Sequence, residues 1–277
     1  GKGNMGMDAC TLCPRMCGVN RAAGEKGYCG MDATIRAARA ALHMWEEPCI
    51  SGTQGSGAVF FSGCSLRCIF CQNFEIAEGN CAKEISGERL SEIFLELQEQ
   101  GAANINLVTA AHYVPAVIES LKKAKAQGMD LPVIYNSSGY ERVETVQMLE
   151  EVVDVWLPDF KYMDSKLAFA YSRAKDYPEV TRAAIREMMK AAGTCAYDED
   201  GYIQKGVIVR HLILPGHTKN SIAVLDELYG TYGDDLTISL MNQYTPLPQV
   251  WVTISRKRQG GTMSFFQAED GIRDVRT

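Results

Sequence analysis

The chain has 277 residues, with 28 Lys and Arg against 34 Asp and Glu, and so a net charge of −6. Hydrophobic residues make up 46% and charged residues 22%, a mix that can bury a core and excludes wholesale disorder. The acidic balance argues against a grip on nucleic acid through its phosphates. No apolar run reaches the ~18 residues of a membrane span, and no secretory signal is visible, so a cytoplasmic protein without a membrane partner is expected.

Cysteines dominate the first part of the chain: eight of the ten lie between Cys10 and Cys71. A disulfide scaffold fits poorly in a chain large enough to build its own core, and clustered cysteines in a reducing compartment point to metal. Cys10, Cys13, Cys17 and Cys29 form a C-x2-C-x3-C-x11-C set. Four thiols at this spacing suit either a closed zinc site or an iron–sulfur cluster, and spacing does not choose between them. Residues 33–44 fit helix and strand equally, and residues 1–50 read as a small appended Cys-rich module.

From residue 57 onward strands and helices alternate. The apolar runs at 58–61, 105–108, 132–135, 152–157, 206–214 and 236–240 predict six strands. Helices are predicted at 88–100, around 114–121, and at 141–150, 165–174, 178–192 and 220–229; Leu90, Ile93, Phe94 and Leu97 share one face of the first. Such alternation implies a parallel sheet with right-handed crossovers. Six units fall short of the eight of a closed barrel, so a partial (β/α)6 barrel is expected over residues 51–257, with a doubly wound sheet as the alternative. In either case the chemistry belongs at the C-terminal ends of the strands.

The sharpest motif stands at such an end. Gly63-Cys64-Ser65-Leu66-Arg67-Cys68-Ile69-Phe70-Cys71 follows the first of these strands with C-x3-C-x2-C spacing. Three thiolates on one loop can hold three irons of a 4Fe-4S cubane and leave the fourth open to a reactant, whereas a structural zinc site would close with a fourth ligand. The nonapeptide resembles the signature of the radical S-adenosylmethionine (SAM) superfamily, with Phe70 at its aromatic position. Residues 55–63 before it and Gln72-Asn73 after it resemble the pyruvate formate-lyase activating enzyme group. A subgroup of activating-enzyme-like proteins is resembled by Cys13-Pro14-Arg15-Met16-Cys17-Gly18-Val19-Asn20-Arg21, Asn104 to Thr109, Tyr135-Asn136-Ser137-Ser138-Gly139-Tyr140, Leu157-Pro158-Asp159-Phe160-Lys161-Tyr162 and Arg210-His211-Leu212.

The resemblance implies a partial (β/α)6 barrel and a 4Fe-4S cluster held by Cys64, Cys68 and Cys71. It also implies reductive cleavage of SAM to a 5′-deoxyadenosyl radical that takes hydrogen from a substrate, with an electron donor such as flavodoxin or ferredoxin. Lys161 would face the SAM carboxylate, Asp159 would orient it or bind a cation, and Arg210 would contact SAM from inside the barrel. The family's Gly-Gly-Glu segment is replaced here by Val108-Thr109-Ala110-Ala111-His112-Tyr113, with Thr109 and His112 as substitute polar groups. Asn136 and Ser137 would touch the SAM carboxylate or a cation, or else serve the turn. The implied substrate is a glycine of a partner protein; another peptide, a small molecule, or a non-catalytic zinc-binding adaptor are the alternatives. The segment Ser264 to Asp274 resembles translated sequencing adapter, so residues 258–277 are set apart as a tail.

Overall fold

The computed structural model describes residues 7–244. The expected tail at 258–277, with the end of the barrel region at 245–257, lies outside them. The strands are β1 (Arg36–His43), β2 (Ser56–Phe61), β3 (Lys83–Glu84), β4 (Ile105–Val108), β5 (Val133–Ser137), β6 (Val155–Pro158), β7 (Ala196–Tyr197), β8 (Ile203–Leu212) and β9 (Thr237–Met241). The helices are α1 (Pro48–Ser51), α2 (Phe74–Ala77), α3 (Gly87–Glu99), α4 (Val114–Ala126), α5 (Val143–Leu149), α6 (Ser165–Ser172), α7 (Tyr177–Ala192) and α8 (Thr218–Tyr232).

The six predicted strands are β2, β4, β5, β6, β8 and β9. They pair in parallel in that order and form an open sheet. The helices between them form for local reasons. Ser86 caps α3 by accepting the Arg89 backbone N–H at 3.0 Å, and Leu90, Ile93, Phe94 and Leu97 are its buried stripe. Asp164 caps α6 by accepting from the backbone of Lys166 and Leu167. Residues 36–43, ambiguous in sequence, become β1, which runs antiparallel to β2 and extends the sheet. The sheet therefore crosses the expected module boundary at residue 50. Cross-strand pairing, which no local pattern encodes, decided between helix and strand there.

The two faces of the sheet bury different sets. Val59, Phe61, Leu107, Tyr135, Trp156, Val207 and Val209 pack into the main core beneath the helices. Ile134, Val155, Leu157 and Ile208 point to the inner face, where Ile50 of α1 and Ile203 pack with them. Among the described residues, no helix is long and apolar enough to cross a membrane.

Candidate active site

The loop from Cys64 to Cys71 leaves the C-terminal end of β2, as expected. Gly63 starts it at φ +91°, a conformation that glycine adopts without strain. A Cβ there would come within 2.9 Å of the Cys29 carbonyl oxygen. The loop is fastened to the end of α6: the backbone N–H groups of Arg67 and Ile69 donate to the carbonyls of Ser172 (3.3 Å) and Tyr171 (2.9 Å). Arg67 also donates to the carbonyls of Cys64 and Leu66 within the loop. Phe70 is buried and meets Tyr171 edge-on, ring centroids 6.4 Å apart.

The thiols lie in a cationic setting. Burial pushes Cys64 up to about 12 and also raises Cys68 and Cys71, while the Lys161 ammonium pulls all three back. The free thiols are thus protonated at neutral pH, and a metal must displace those protons to bind. The Cys68 sulfur lies 2.9 Å from Ser172 Oγ, which lies 2.7 Å from the Tyr162 hydroxyl. The Leu66 N–H donates to the Cys64 sulfur at 3.4 Å. Among the described residues, no three His, Cys, Asp or Glu side chains stand close enough around one point to hold a single metal ion. A cubane places each thiolate on a different iron, so it asks for wider spacing than one ion does.

From Lys161 a chain of alternating charges runs down the inner face. Lys161 pairs with Asp159, and Arg210 Nε donates to the other oxygen of Asp159 at 3.1 Å. Arg210 also donates to Asn136 Oδ1 at 2.6 Å and to Glu46 at 3.3 Å. Asn106 and Asn136 both donate to Glu46 Oε1, at 3.2 and 3.5 Å. Burial pushes Asp159 up, but Lys161 and Arg210 outweigh it and hold the carboxyl below its usual range. Glu46 is left raised: burial dominates over the single Arg210 contact. Each charge in this chain is compensated by the next, which is the condition under which buried ions are tolerated.

Strand alternation explains which expected residues meet. Asn136 and Arg210 face inward. Their neighbours do not: Ser137 accepts the Gly139 N–H at 3.2 Å, and His211 donates from Nδ1 to the Phe160 carbonyl and accepts from Ser221. Thr109 follows β4 at φ +60°, a costly conformation for a β-branched residue. His112 is buried beneath the β2 end, where its Nε2 donates to the Ser62 carbonyl at 2.7 Å; burial pushes it down to about 3. Its ring therefore supports the loop backbone from behind. Glu46 had no sequence signal. It lies after β1, outside every motif, and enters the inner face from the opposite end of the sheet because His43 pairs with Ser56 at the start of β2.

The N-terminal set abuts this loop. Arg15 Nε donates to the Ser65 carbonyl at 2.8 Å, and its guanidinium stacks 4.1 Å from the centre of the Tyr28 ring. Arg67 lies over the same ring at 4.8 Å. Cys10, Cys13 and Cys29 are buried, and Cys17 is exposed.

A model of the radical SAM superfamily matches residues 58–228. The chain belongs to that superfamily. It is 28% identical over 244 residues to an uncharacterized protein of Methanocaldococcus jannaschii, a match covering 86% of this chain and 66% of that relative. The chain thus spans just under two thirds of the relative's length. Among solved structures it is similar to Streptococcus suis SuiB (TM-score 0.42, 11% identity, 74% of this chain and 46% of that one). The same protein bound to S-adenosylmethionine gives a TM-score of 0.44 at 12% identity, with 71% and 46% covered. HydG, a maturase of the FeFe-hydrogenase, gives 0.46 at 15% identity, with 68% and 42% covered. Membership brings a 4Fe-4S cluster and SAM as cofactors, and the donor set fits them. Three thiols on one loop, an ammonium facing them and an open strand-end rim are what a three-cysteine cluster and an anionic SAM carboxylate require.

Proposed function

We propose that this chain is a hydrogen-abstracting radical SAM enzyme whose substrate is a glycine in a partner protein. The observation that carries the reading is the joining of the Cys64–Cys71 loop to the Lys161–Asp159–Arg210–Glu46 charge chain on one inner face. When bound, the cluster and SAM supply a 5′-deoxyadenosyl radical by one-electron cleavage of the C5′–S bond, releasing methionine. Everything else falls to the protein. Cys64, Cys68 and Cys71 would hold the cluster. Lys161 would face the carboxylate of SAM, its ammonium fixed by Asp159, which Arg210 holds in turn, and Glu46 anchors Arg210 from below. Asn136 is held by Arg210 and presents a polar edge at the same rim. Phe70 and Tyr171 exclude water on one flank of the loop. Transfer of one hydrogen atom to the group so supplied would give 5′-deoxyadenosine and leave the unpaired electron on the substrate carbon. The electron that starts the sequence comes from a one-electron donor of the flavodoxin or ferredoxin kind, and the cysteine-rich, oxygen-sensitive site belongs in the cytoplasm.

A second reading has its own support. The segment after β4 lacks the Gly-Gly-Glu of activating enzymes, and His112 within it is turned into the protein. That favours a different peptide or a small molecule as hydrogen donor. Anaerobic reconstitution with iron and sulfide, followed by dithionite and SAM, tests both. 5′-Deoxyadenosine above a Cys68→Ala control supports radical chemistry; none, with iron loaded, overturns it. Deuterium appearing in 5′-deoxyadenosine from α-deuterated glycine in a protein substrate supports the first reading, and deuterium from another donor supports the second.

A further inference from the structure

Residues 7–35 precede β1 and contain no helix or strand, yet they bury three cysteines, Leu12, Met31, Ile35 and a whole arginine. Few apolar side chains offset the backbone entropy of a coil this long, so a staple would add to its order. Arg21 is 1% exposed. Its guanidinium donates to the carbonyls of Asp32 and His112, and Nη1 lies 3.8 Å from the Cys10 sulfur. Among the described residues it has no carboxylate partner; the Asp32 side chain is taken by Arg36. Its guanidinium also lies 5.6 Å from the centre of the Tyr113 ring, and Cys10 Sγ is the sulfur beside it. A metal–thiolate centre at Cys10 would set negative charge against this buried cation.

The four cysteines lie together: Cys13 is close enough to interact with Cys10 and Cys29, and Cys29 with Cys10 and Cys17. The Gly18 N–H donates to the Cys10 carbonyl and the Cys10 N–H to the Val19 carbonyl, both at 3.0 Å, which closes a tight knuckle. Gly27 lies between two sulfurs: a Cβ there would come 2.9 Å from Cys17 Sγ and 3.7 Å from Cys29 Sγ. The bare α-carbon is what lets those thiols draw together. Neutral thiols would need neither the arginine nor the glycine. Four metal-bound thiolates need both, one for charge and one for space.

We propose that Cys10, Cys13, Cys17 and Cys29 form a second metal centre of four thiolates, charge-balanced by buried Arg21 and touching the Cys64–Cys71 loop. The centre takes an iron–sulfur cluster, in which each thiolate binds its own iron, because the sulfurs do not converge on the single point that one ion would need. It does not depend on the reaction assigned to the first site.

The test separates the two sites. A Cys64→Ser, Cys68→Ser, Cys71→Ser chain lacks the first site and should still retain metal after anaerobic purification. About four irons with sulfide identifies a cluster and supports the proposal; about one zinc without sulfide overturns it. No bound metal in this variant, with native-like circular dichroism, overturns it. A variant-free measurement covers the case of misfolding. In the wild-type chain, exposed Cys17 should resist iodoacetamide until a chelator removes the metal, after which all four cysteines should label. Rapid labelling of Cys17 in the metal-replete chain, unchanged by chelation, overturns the proposal. Gly27→Ala should lower metal retention at this centre while the first site loads normally.

Discussion

The two cysteine loops of this protein are built in opposite ways. The Cys64–Cys71 loop hangs from the end of a parallel strand and is laid against the C-terminus of α6, so its geometry is inherited from the sheet. Its balancing cation, Lys161, is itself paired with Asp159 and lies on another strand end. The Cys10–Cys29 segment has no regular element. Its order comes from arginines that donate to carbonyls and stack on tyrosine, and from Gly27, where a side chain would collide with the Cys17 sulfur. A site placed by a scaffold can leave one coordination position open, because the scaffold holds its ligands. A site that must hold its own loop together benefits from being closed.

The largest expected break in this comparison is Cys68→Ala. It should remove 5′-deoxyadenosine formation to the level of a protein-free control and reduce iron at the first site, while metal at the second site survives; separate quantification of iron and product reads both. Next, Lys161→Ala should weaken SAM binding by roughly tenfold or more, about 1.4 kcal/mol, with iron content unchanged. An unchanged affinity by equilibrium dialysis would remove Lys161 from the SAM contact.

Smaller effects sharpen the picture. As an iron-bound thiolate, Cys68 can only accept, so Ser172 must donate to it and Tyr162 to Ser172. Donation to sulfur stabilises the reduced cluster. A hydrogen bond to a charged group contributes ~1.5 kcal/mol, so Ser172→Ala should lower the midpoint potential by on the order of 50 mV, read by an anaerobic EPR titration. Glu141 gives a pH signature. Burial raises its carboxyl from 4.5 to about 8 in the folded chain. The folded state therefore holds a proton that the unfolded state has released, and stability should fall as pH rises from about 4.5 to about 8. Glu141→Gln should flatten that slope in urea unfolding. The smallest effect is Thr109→Gly, which relieves the left-handed backbone at the end of β4 and should stabilise by about 1 kcal/mol.

Much of this was legible in the order of residues. Strand and helix periods are local, so all six parallel strands and the buried stripe of α3 could be read directly, and the C-x3-C-x2-C loop fell where a parallel sheet puts its chemistry. Alternation along β8 was enough to send Arg210 inward and His211 outward. Other features are relations between distant segments, and no local pattern carries those. The pairing of β1 with β2 depends on a sheet edge that exists only once β2 is in place. Glu46 joins the site because that pairing carries it back to the start of β2 and under Arg210. Asn136 and Ser137 looked equivalent until the register of β5 turned one inward and the other toward a glycine turn. His112 looked available until folding set the Ser62 carbonyl over its ring. Periodicity and ligand type are properties of neighbouring residues, so the order of residues carries the kind of fold and the kind of metal chemistry. Burial and pairing depend on where the chain returns, so which charges meet emerges only on folding.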